Sequence, residues 1–322
     1  MKNVKLSIII PCFNSFNMMS RSLDYFQHSD DSFEVVVVDD CSTDGSYESL
    51  LQYAERANFT MTVVKNIQNS GLGISRNRGI QEATGQYIVF LDSDDFFTKD
   101  FFEKIMPLLD GVNDCIIYDF KYLYDNGKET IYSSFFRNIK EGIVDPKIAT
   151  AFVRGSTCGK IYRKNLVDVK EIYFLDQRRY EDMPFTKCMV SCCNRIMYIK
   201  APLYVYVHHN ASLTHNDSLL TIENAKKAYE YVSNILGSDM AEEKETIFAV
   251  EYLVSSASIA IKQKKRKEWI QFVISQESIC KGYKSSRYLK EYAKHKQLEI
   301  KLIERKAYYL LKIYLILKKN AK

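Results

Sequence analysis

Two acidic clusters carry the side chains of this sequence that are best suited to chemistry. Asp40 follows one apolar run, and Asp92, Asp94 and Asp95 follow a second apolar run further along the chain. Such carboxylates can accept hydrogen bonds from a nucleoside, and they supply the hard oxygen ligands that Mg²⁺ and Mn²⁺ prefer. The two clusters therefore predict a shared site for a nucleotide whose phosphates are held with a divalent cation.

The elements that position these clusters are short apolar strands separated by segments of helical length. Alternation of this kind indicates βαβ units, and the carboxyl ends of parallel strands open at one edge of the sheet, where ligands bind. The predicted fold class is α/β, with a mostly parallel sheet flanked by helices. We predict strands at residues 6–10, 35–38, 61–65 and 87–91, and helices at 18–26, 46–57 and 76–83.

The second part of the chain is less regular and then becomes helical, with no convincing strand after residue 218. This change of pattern predicts a domain of residues 1–215 followed by a helical C-terminal region of residues 216–322. We predict a helix near residues 99–109, strands at 115–120 and 196–207, loop and short helix across 150–167, and a helix ending near 191.

Charge is distributed unevenly along the chain. Residues 262–322 contain 18 Lys or Arg and 5 Asp or Glu, a net charge of +13, so the remaining residues carry −8 of the overall +5. A body without a basic surplus argues against nucleic acid as a partner. The C-terminal stretch from 298 to 319 also has apolar residues at helical spacing. It predicts a basic amphipathic helix that lies on an anionic membrane surface, or one that packs on its own domain or another subunit.

The cysteines and the apolar segments indicate the cellular compartment in which the protein works. Eight cysteines are present without the paired spacing of a zinc or redox motif, which is typical of reduced thiols in a cytosolic protein. The chain starts without a signal-peptide pattern and has no apolar stretch long enough to span a bilayer. We expect a cytoplasmic protein, with peripheral attachment to the inner face of the plasma membrane as a further expectation.

Four segments, residues 7–14, 38–46, 69–80 and 90–95, together resemble the successive signatures of family 2 glycosyltransferases. Their order and spacing match the family, and the resemblance extends over roughly residues 5–215. It implies a GT-A fold, a UDP-sugar donor, Mg²⁺ or Mn²⁺ as the cofactor, and inversion at the anomeric carbon.

The resemblance also assigns roles to residues on the donor side. Pro11 and Phe13 would line the uracil pocket, and Asp40 would accept a hydrogen bond from the base. Asp92 would lie near the ribose, and Asn69, Gly71 and Arg76 would approach the base or diphosphate. A tight turn and an ordinary strand-end acid that caps a helix are the alternative for Pro11, Phe13 and Asp40.

Metal and base assignments follow from the same resemblance. Asp94 is the expected metal ligand, and His209 is hypothesised to bind the metal or a phosphate, although packing or surface roles account for it equally well. The family pattern commonly has Arg where this chain has Val207. Asp182, which follows Glu181, corresponds to the catalytic base that removes the acceptor proton; a pair of first-turn acids favoured by a helix dipole is the alternative.

The function implied is a hexosyltransferase that moves a hexose or N-acetylhexosamine from a UDP-sugar to the hydroxyl of a saccharide or lipid-linked saccharide. Family analogy places this reaction in bacterial surface polysaccharide or capsule synthesis. Two alternatives remain open at this stage. A metal-dependent nucleotidyltransferase would keep the metal carboxylates without needing Asp182, and a non-catalytic membrane-associated scaffold would keep only the sheet.

Overall fold

The computed structural model describes residues 4–28, 32–177, 179–208 and 219–320. Within these residues, the strands form one sheet. The strands are β1 (Leu6–Cys12), β2 (Phe33–Asp39), β3 (Thr60–Lys65), β4 (Tyr87–Phe90), β5 (Phe96–Phe97), β6 (Cys115–Tyr124), β7 (Glu129–Tyr132), β8 (Gly142–Val144), β9 (Lys160–Arg163) and β10 (Ile196–His208).

Helices cover the sheet and make up the C-terminal part of the described chain. They are α1 (Ser20–Gln27), α2 (Ser46–Arg56), α3 (Leu72–Glu82), α4 (Phe101–Ile105), α5 (Pro146–Phe152), α6 (Lys164–Lys170), α7 (Asp182–Ser191), α8 (Leu219–Ile235), α9 (Ala241–Ile247), α10 (Val254–Gln263), α11 (Arg266–Glu277), α12 (Lys294–Glu304) and α13 (Tyr308–Asn320). The predicted helix near 99–109 is shorter, since a 3-10 turn replaces its second half.

The sheet has the strand order β3-β2-β1-β4-β9-β6-β10-β5, and β1 to β4 are parallel. Four strands were not predicted: the short strands β5, β7 and β8, and β9, which lies antiparallel between β4 and β6 at residues interpreted as loop and short helix. Lys160–Arg163 is too short to show a period, so only its position between β4 and β6 makes it a strand. Because β9 reverses direction, β6 and β10 again run parallel to β4.

Alternate residues of the central strands enter two separate hydrophobic cores. Ile8 and Val35 pack with α1, α2 and α4 on one face, whereas Ile9 and Val36 pack with α3 and α7 on the other. All four side chains are fully buried. Burying a valine or isoleucine contributes roughly 1.5–3 kcal/mol, so the valine-rich runs hold the strand ends in a rigid layer.

The C-terminal helices extend the second of these cores rather than building one of their own. Ile222 of α8 and Trp269 of α11 belong to the same buried cluster as Ile9 and Val36. The Tyr292 hydroxyl donates a hydrogen bond to the carbonyl of Ala151, which joins the two parts of the chain further. The boundary near residue 216 lies outside the described residues, and the division into two units stays a prediction.

Candidate active site

The carboxyl ends of β1, β2 and β4 lie side by side because these strands are parallel and in register. Cys12 at the end of β1 pairs with Asp39 at the end of β2. The Ser15 hydroxyl donates to the Ser93 hydroxyl at 2.8 Å, which ties the loop after β1 to the turn at residues 92–95. Phe13, in that loop, is 46% exposed. The two acidic clusters therefore share one edge of the sheet.

Asp40 fixes the loop that follows β3. Its Oδ1 accepts hydrogen bonds from the Asn66 side chain at 2.8 Å and the Ser70 amide at 2.9 Å, and its Oδ2 accepts one from the Gly71 amide at 2.7 Å. Gly71 has φ +88°, a conformation that a residue with a side chain adopts only with strain. Asp40 thus positions the loop that contains Asn69 and Gly71, and its contact with a base stays a prediction.

Two neighbouring residues of this edge are buried. Pro11 lies inside β1 opposite Val38 and is fully enclosed by the sheet. Asp39 is also buried: its Oδ2 accepts a hydrogen bond from the Ser42 amide at 3.1 Å, while its Oδ1 has no hydrogen-bond partner among the described residues. Buried acceptors are rarely left unpaired, so a donor from water or ligand would stabilise this edge. Asp39 is not among the site residues predicted from the sequence.

Arg76 joins the donor-side acids to the predicted base. Its guanidinium, 1% exposed, lies 2.8 Å from Asp92 Oδ1, 2.7 Å from Asp182 Oδ1 and 3.5 Å from Glu181 Oε1. Burial disfavours its charge, but Asp182 and Asp92 outweigh burial and hold the pKa of Arg76 above its ordinary value. These contacts use Nη1 and Nη2, whereas Nε has no hydrogen-bond partner among the described residues. An approach of Arg76 to the base or diphosphate stays a prediction.

Asp182 is held from two sides at the first turn of α7. Arg76 binds its Oδ1, and its Oδ2 faces the amide and the hydroxyl of Thr157, each at 3.3 Å. Burial raises the pKa of Asp182, while Arg76 opposes that rise. The side chain is 26% exposed, so one part of it still meets solvent. This carboxylate is fixed in place and accessible, which are the two requirements for a general base.

Two buried lysines shape the loop that carries Thr157. Lys160 donates to the carbonyls of residues 156 and 158, and Lys187 donates to those of residues 150 and 153. Burial lowers the pKa of both ammonium groups to about 8. Neither lysine is among the site residues predicted from the sequence. A buried lysine gives no periodic signal, so its carbonyl partners become visible only in the folded chain.

Asp95 attaches the acidic turn to β10. It is 2% exposed, its Oδ2 accepts a hydrogen bond from the Tyr204 hydroxyl at 2.6 Å, and its Oδ1 accepts one from the Val207 amide at 2.8 Å. The same Tyr204 oxygen accepts a hydrogen bond from the Asp92 amide at 3.2 Å. Burial raises the pKa of Asp95 well above its ordinary value. Asp95 is therefore a positioning residue: it holds the turn that contains Asp92 and Asp94 against β10.

The donor groups at this turn suit a hard divalent cation. Ligand atoms of Asp92, Asp95 and Cys158 lie within 4.8 Å of one another. Burial raises the pKa of the Cys158 thiol well above its ordinary value, and a neutral thiol is a weak ligand for a hard cation. Half-buried Asp92 and Asp94 supply carboxylate oxygens of the kind that Mg²⁺ and Mn²⁺ prefer, and Oδ1 of Asp92 is also paired with Arg76. His209 lies outside the described residues.

Comparison with known proteins identifies the family of this chain. The family model described as Glycosyl transferase family 2 matches residues 7–170, just over half of the chain. The chain belongs to glycosyltransferase family 2. The resemblance carried by the four sequence segments is thereby confirmed, and so is the expectation of an enzyme: the chain is a glycosyltransferase.

The relatives of this family 2 glycosyltransferase include two enzymes that modify poly(ribitol-phosphate). The beta-N-acetylglucosaminyltransferase TarS of Staphylococcus aureus is 25% identical over 281 residues, which cover 83% of this chain and 48% of TarS. The beta-glucosyltransferase of Bacillus spizizenii is 26% identical over 288 residues, which cover 84% of this chain and 44% of that protein. The chain spans about half the length of both relatives.

A solved structure shows the fold. The crystal structure of TarS residues 1–349 in complex with UDP-GlcNAc has a TM-score of 0.72 and 23% sequence identity, and the match covers 96% of this chain and 89% of that one. The predicted GT-A fold is thereby confirmed. No helix in the described ranges is both long and apolar enough to cross a membrane.

Glu181, next to Asp182, predicts a pH effect on the stability of this glycosyltransferase. Burial, with the neighbouring Asp182, raises the pKa of Glu181 to about 7, from an ordinary value of 4.5. Between these pH values the folded state holds a proton that the unfolded chain has lost. This stabilisation is complete below pH 4.5 and is lost as the pH rises through 7, with a slope of at most about 1.4 kcal/mol per pH unit.

Glu181→Gln removes this titration while it keeps the shape of the side chain. We expect the variant to gain stability relative to the parent protein as the pH rises from 5 to 8, measured by urea unfolding at each pH. Glu48→Gln, which changes an exposed glutamate at the start of α2, is the matched control and should show no such trend. Parallel stability curves for parent and Glu181→Gln would contradict the raised pKa.

Proposed function

We propose that this glycosyltransferase moves a hexose or N-acetylhexosamine from a UDP-sugar to a saccharide hydroxyl, with inversion, in the assembly of a bacterial cell-wall or other surface polysaccharide. The observation that carries the proposal is the Arg76 bridge, in which one buried guanidinium binds Asp92 of the donor edge and Asp182 at the same time. A donor-side acid and a fixed carboxylate base are thus held close together. The names of TarS and its UDP-GlcNAc complex support the choice of donor and polymer.

On the donor side, we assign the nucleoside to the edge formed by β1, β2 and the loop after β3. Phe13 offers an exposed ring, and the loop shaped by Asp40 presents Asn69 and Gly71. Pro11 supports this pocket from within β1, and Asp92 lies at the following strand end. An exposed aromatic ring at this edge of the sheet is suited to stacking on the flat base of a nucleoside.

A bound Mg²⁺ or Mn²⁺ would neutralise charge that develops on the leaving diphosphate. Asp94 is the residue we propose to hold it, with Asp92 beside it, and His209 stays a hypothesis. The rest of the site acts on the acceptor. Asp182 takes the proton from the attacking hydroxyl as the oxygen bonds to the anomeric carbon and the bond to the diphosphate breaks. Arg76 and Thr157 orient Asp182 for that transfer, on the face opposite the leaving group.

The experiment that tests this function follows nucleotide release. The protein is incubated with Mn²⁺ and individual UDP-sugars, first alone and then with saccharide acceptors. We expect slow release of UDP from one donor, faster release with an acceptor, and loss of both when EDTA removes the metal. Formation of UTP and sugar 1-phosphate when pyrophosphate is added to the UDP-sugar would identify a nucleotidyltransferase, and the absence of nucleotide binding would identify a scaffold. Either result overturns the proposal.

The exposed face of α13 supports a second part of the proposal, attachment to an anionic membrane surface. Tyr308 and Leu311 of this helix are buried, whereas the opposite side is a stripe of apolar residues, each more than half exposed. The stripe consists of Tyr309, Leu310, Ile313, Ile316 and Leu317. It lies within residues 262–322, which carry a net charge of +13, so its charge complements anionic lipid better than it does a second copy of itself.

Vesicle flotation of the full chain tests this attachment. Leu310→Ser/Leu317→Ser should reduce binding to vesicles containing phosphatidylglycerol at least tenfold, because each substitution removes the favourable free energy of inserting a leucine side chain into lipid. The control Val112→Ser/Val169→Ser changes two equally exposed apolar residues elsewhere and should float normally. If both variants float equally, or if the stripe instead mediates dimerisation, the membrane proposal fails.

A cytoplasmic location stays a proposal too, supported by eight cysteines that form no disulfide.

A further inference from the structure

Aromatic side chains line one face of the sheet where β6, β7 and β10 extend beyond the core. In the strand register Tyr206 lies opposite Tyr122, and His208 lies opposite Tyr124. The ring centroid of Tyr122 is 4.8 Å from that of Tyr206 and 4.7 Å from that of Tyr132. We call Tyr122, Tyr124, Tyr132 and Tyr206 the tyrosine face.

The rings of the tyrosine face are uncharged, and Arg154 interacts electrostatically with two of them, Tyr122 and Tyr132. Successive side chains of a strand alternate between faces, so the charged residues of these strands point the other way. Lys121 and Glu129 pair there at 2.8 Å, on the side opposite the tyrosines. Each ring of the tyrosine face is half-buried, whereas Phe120 and Tyr204, nearer the centre of the sheet, are buried. The rings thus form an uncharged surface that is partly open to solvent.

This surface begins at the proposed reaction site. Tyr204, two residues before Tyr206 on the same side of β10, bonds to Asp95 and to the amide of Asp92. Cys158, whose thiol lies within 4.8 Å of both acids, follows Thr157, which holds the base. From Tyr204 the strand continues for four residues to His208, about 13 Å at the usual rise. The acidic turn is therefore flanked by the base on one side and the tyrosine face on the other.

Tyrosine is suited to neutral sugars for physical reasons. Its ring provides a large, rigid apolar surface for the C–H groups of a pyranose, and its hydroxyl can bond to the sugar hydroxyls. The neighbouring Arg154 donates a hydrogen bond to the carbonyl of Ser133 and packs on the ring of Phe136, so the open part of this surface consists of uncharged rings. We propose that the tyrosine face binds the neutral saccharide units of the acceptor that extend beyond the reacting hydroxyl. This inference rests on the proposed function and assigns the acceptor side of the same site.

Acceptor kinetics test the inference. The probes are neutral oligosaccharides of two to four hexose or N-acetylhexosamine units and the matching monosaccharides, each supplied with Mn²⁺ and the UDP-sugar that the enzyme uses. Tyr122→Ala and Tyr206→Ala should each raise KM for the oligosaccharides about fivefold to tenfold, with a much smaller change for the monosaccharides. Tyr206→Phe keeps the ring and should restore most of the affinity. Tyr47→Ala, a half-buried tyrosine of α2, is the control.

The outcomes separate this inference from the proposed function. An unchanged oligosaccharide KM in both alanine variants overturns the tyrosine face, as does an equal loss for monosaccharides and oligosaccharides. So does failure of every neutral saccharide in the panel to accept the sugar, even while the parent protein still releases UDP. If the parent protein releases no UDP from any donor, the proposed function itself fails. Thermal unfolding of each variant distinguishes a damaged fold from a lost contact.

Discussion

Asp182→Asn is expected to reduce sugar transfer by a factor of about 10²–10⁴, the usual contribution of a positioned general base. Asparagine keeps the size of the side chain, and its oxygen can still accept a hydrogen bond from Arg76. It cannot take up the proton of the acceptor hydroxyl. The change should therefore fall on kcat, with little effect on the affinity for UDP, because Asp182 lies on the acceptor side of the Arg76 bridge.

Transfer is measured with the UDP-sugar found in the release assay, and UDP affinity by calorimetric titration. The control is Asp168→Asn, which changes an exposed acid of α6 paired with Lys164 and should leave both quantities unaltered. Turnover of Asp182→Asn at the parent rate would mean that another group is the base. Loss of UDP binding together with turnover would mean that Asp182 serves the fold of the donor site instead.

Arg76→Met is expected to lower the free energy of unfolding by about 3–5 kcal/mol at neutral pH, the range seen when one partner of a buried ion pair is removed. Methionine fills a similar volume but leaves Asp92, Glu181 and Asp182 together without a counter-charge. The stability difference from the parent should shrink as the pH falls, because carboxyl groups without a neighbouring cation bind protons more readily. Transfer should also fall, since nothing else fixes Oδ1 of Asp182.

Urea unfolding at several pH values measures this effect. Arg78→Met is the matched control: Arg78 lies on the same helix and donates a hydrogen bond to the carbonyl of Lys65, so its loss should cost only about 1 kcal/mol. Arg76→Lys keeps one charge without the planar group that binds several carboxylates, and we expect a result between the other two. If Arg76→Met unfolds at the same urea concentration as the parent protein, the three carboxylates do not depend on a neighbouring cation for the stability of the fold.

The Arg76 bridge connects the two halves of the proposed reaction. The same guanidinium binds the acid at the donor edge and the base that acts on the acceptor. A bound donor that contacts Asp92 would therefore alter the surroundings of Asp182 through a single side chain. The approach of Arg76 to the base or diphosphate, which the resemblance implies, stays a prediction, since arginine can bind phosphate as well as carboxylate.

Local patterns in the sequence were sufficient to predict the strands of the parallel half of the sheet. The valine-rich run of β2 and the apolar run of β4 each extend over a whole buried strand and stop at carboxylates, so their type and end points could be predicted. The four segments at residues 7–14, 38–46, 69–80 and 90–95 then indicated the family. Strand β9 could not be predicted in this way, because four residues have no measurable period.

The sequence by itself determined the α/β class, the glycosyltransferase family and the acidic strand ends, since each depends on residues that are close together in the chain. Tertiary structure decided which groups touch. Arg76 and Asp182 are 106 positions apart and Asp95 and Tyr204 are 109 apart, yet both pairs are bonded. No local pattern encodes such contacts, because they exist only after the hydrophobic cores have fixed helices and strands against one another.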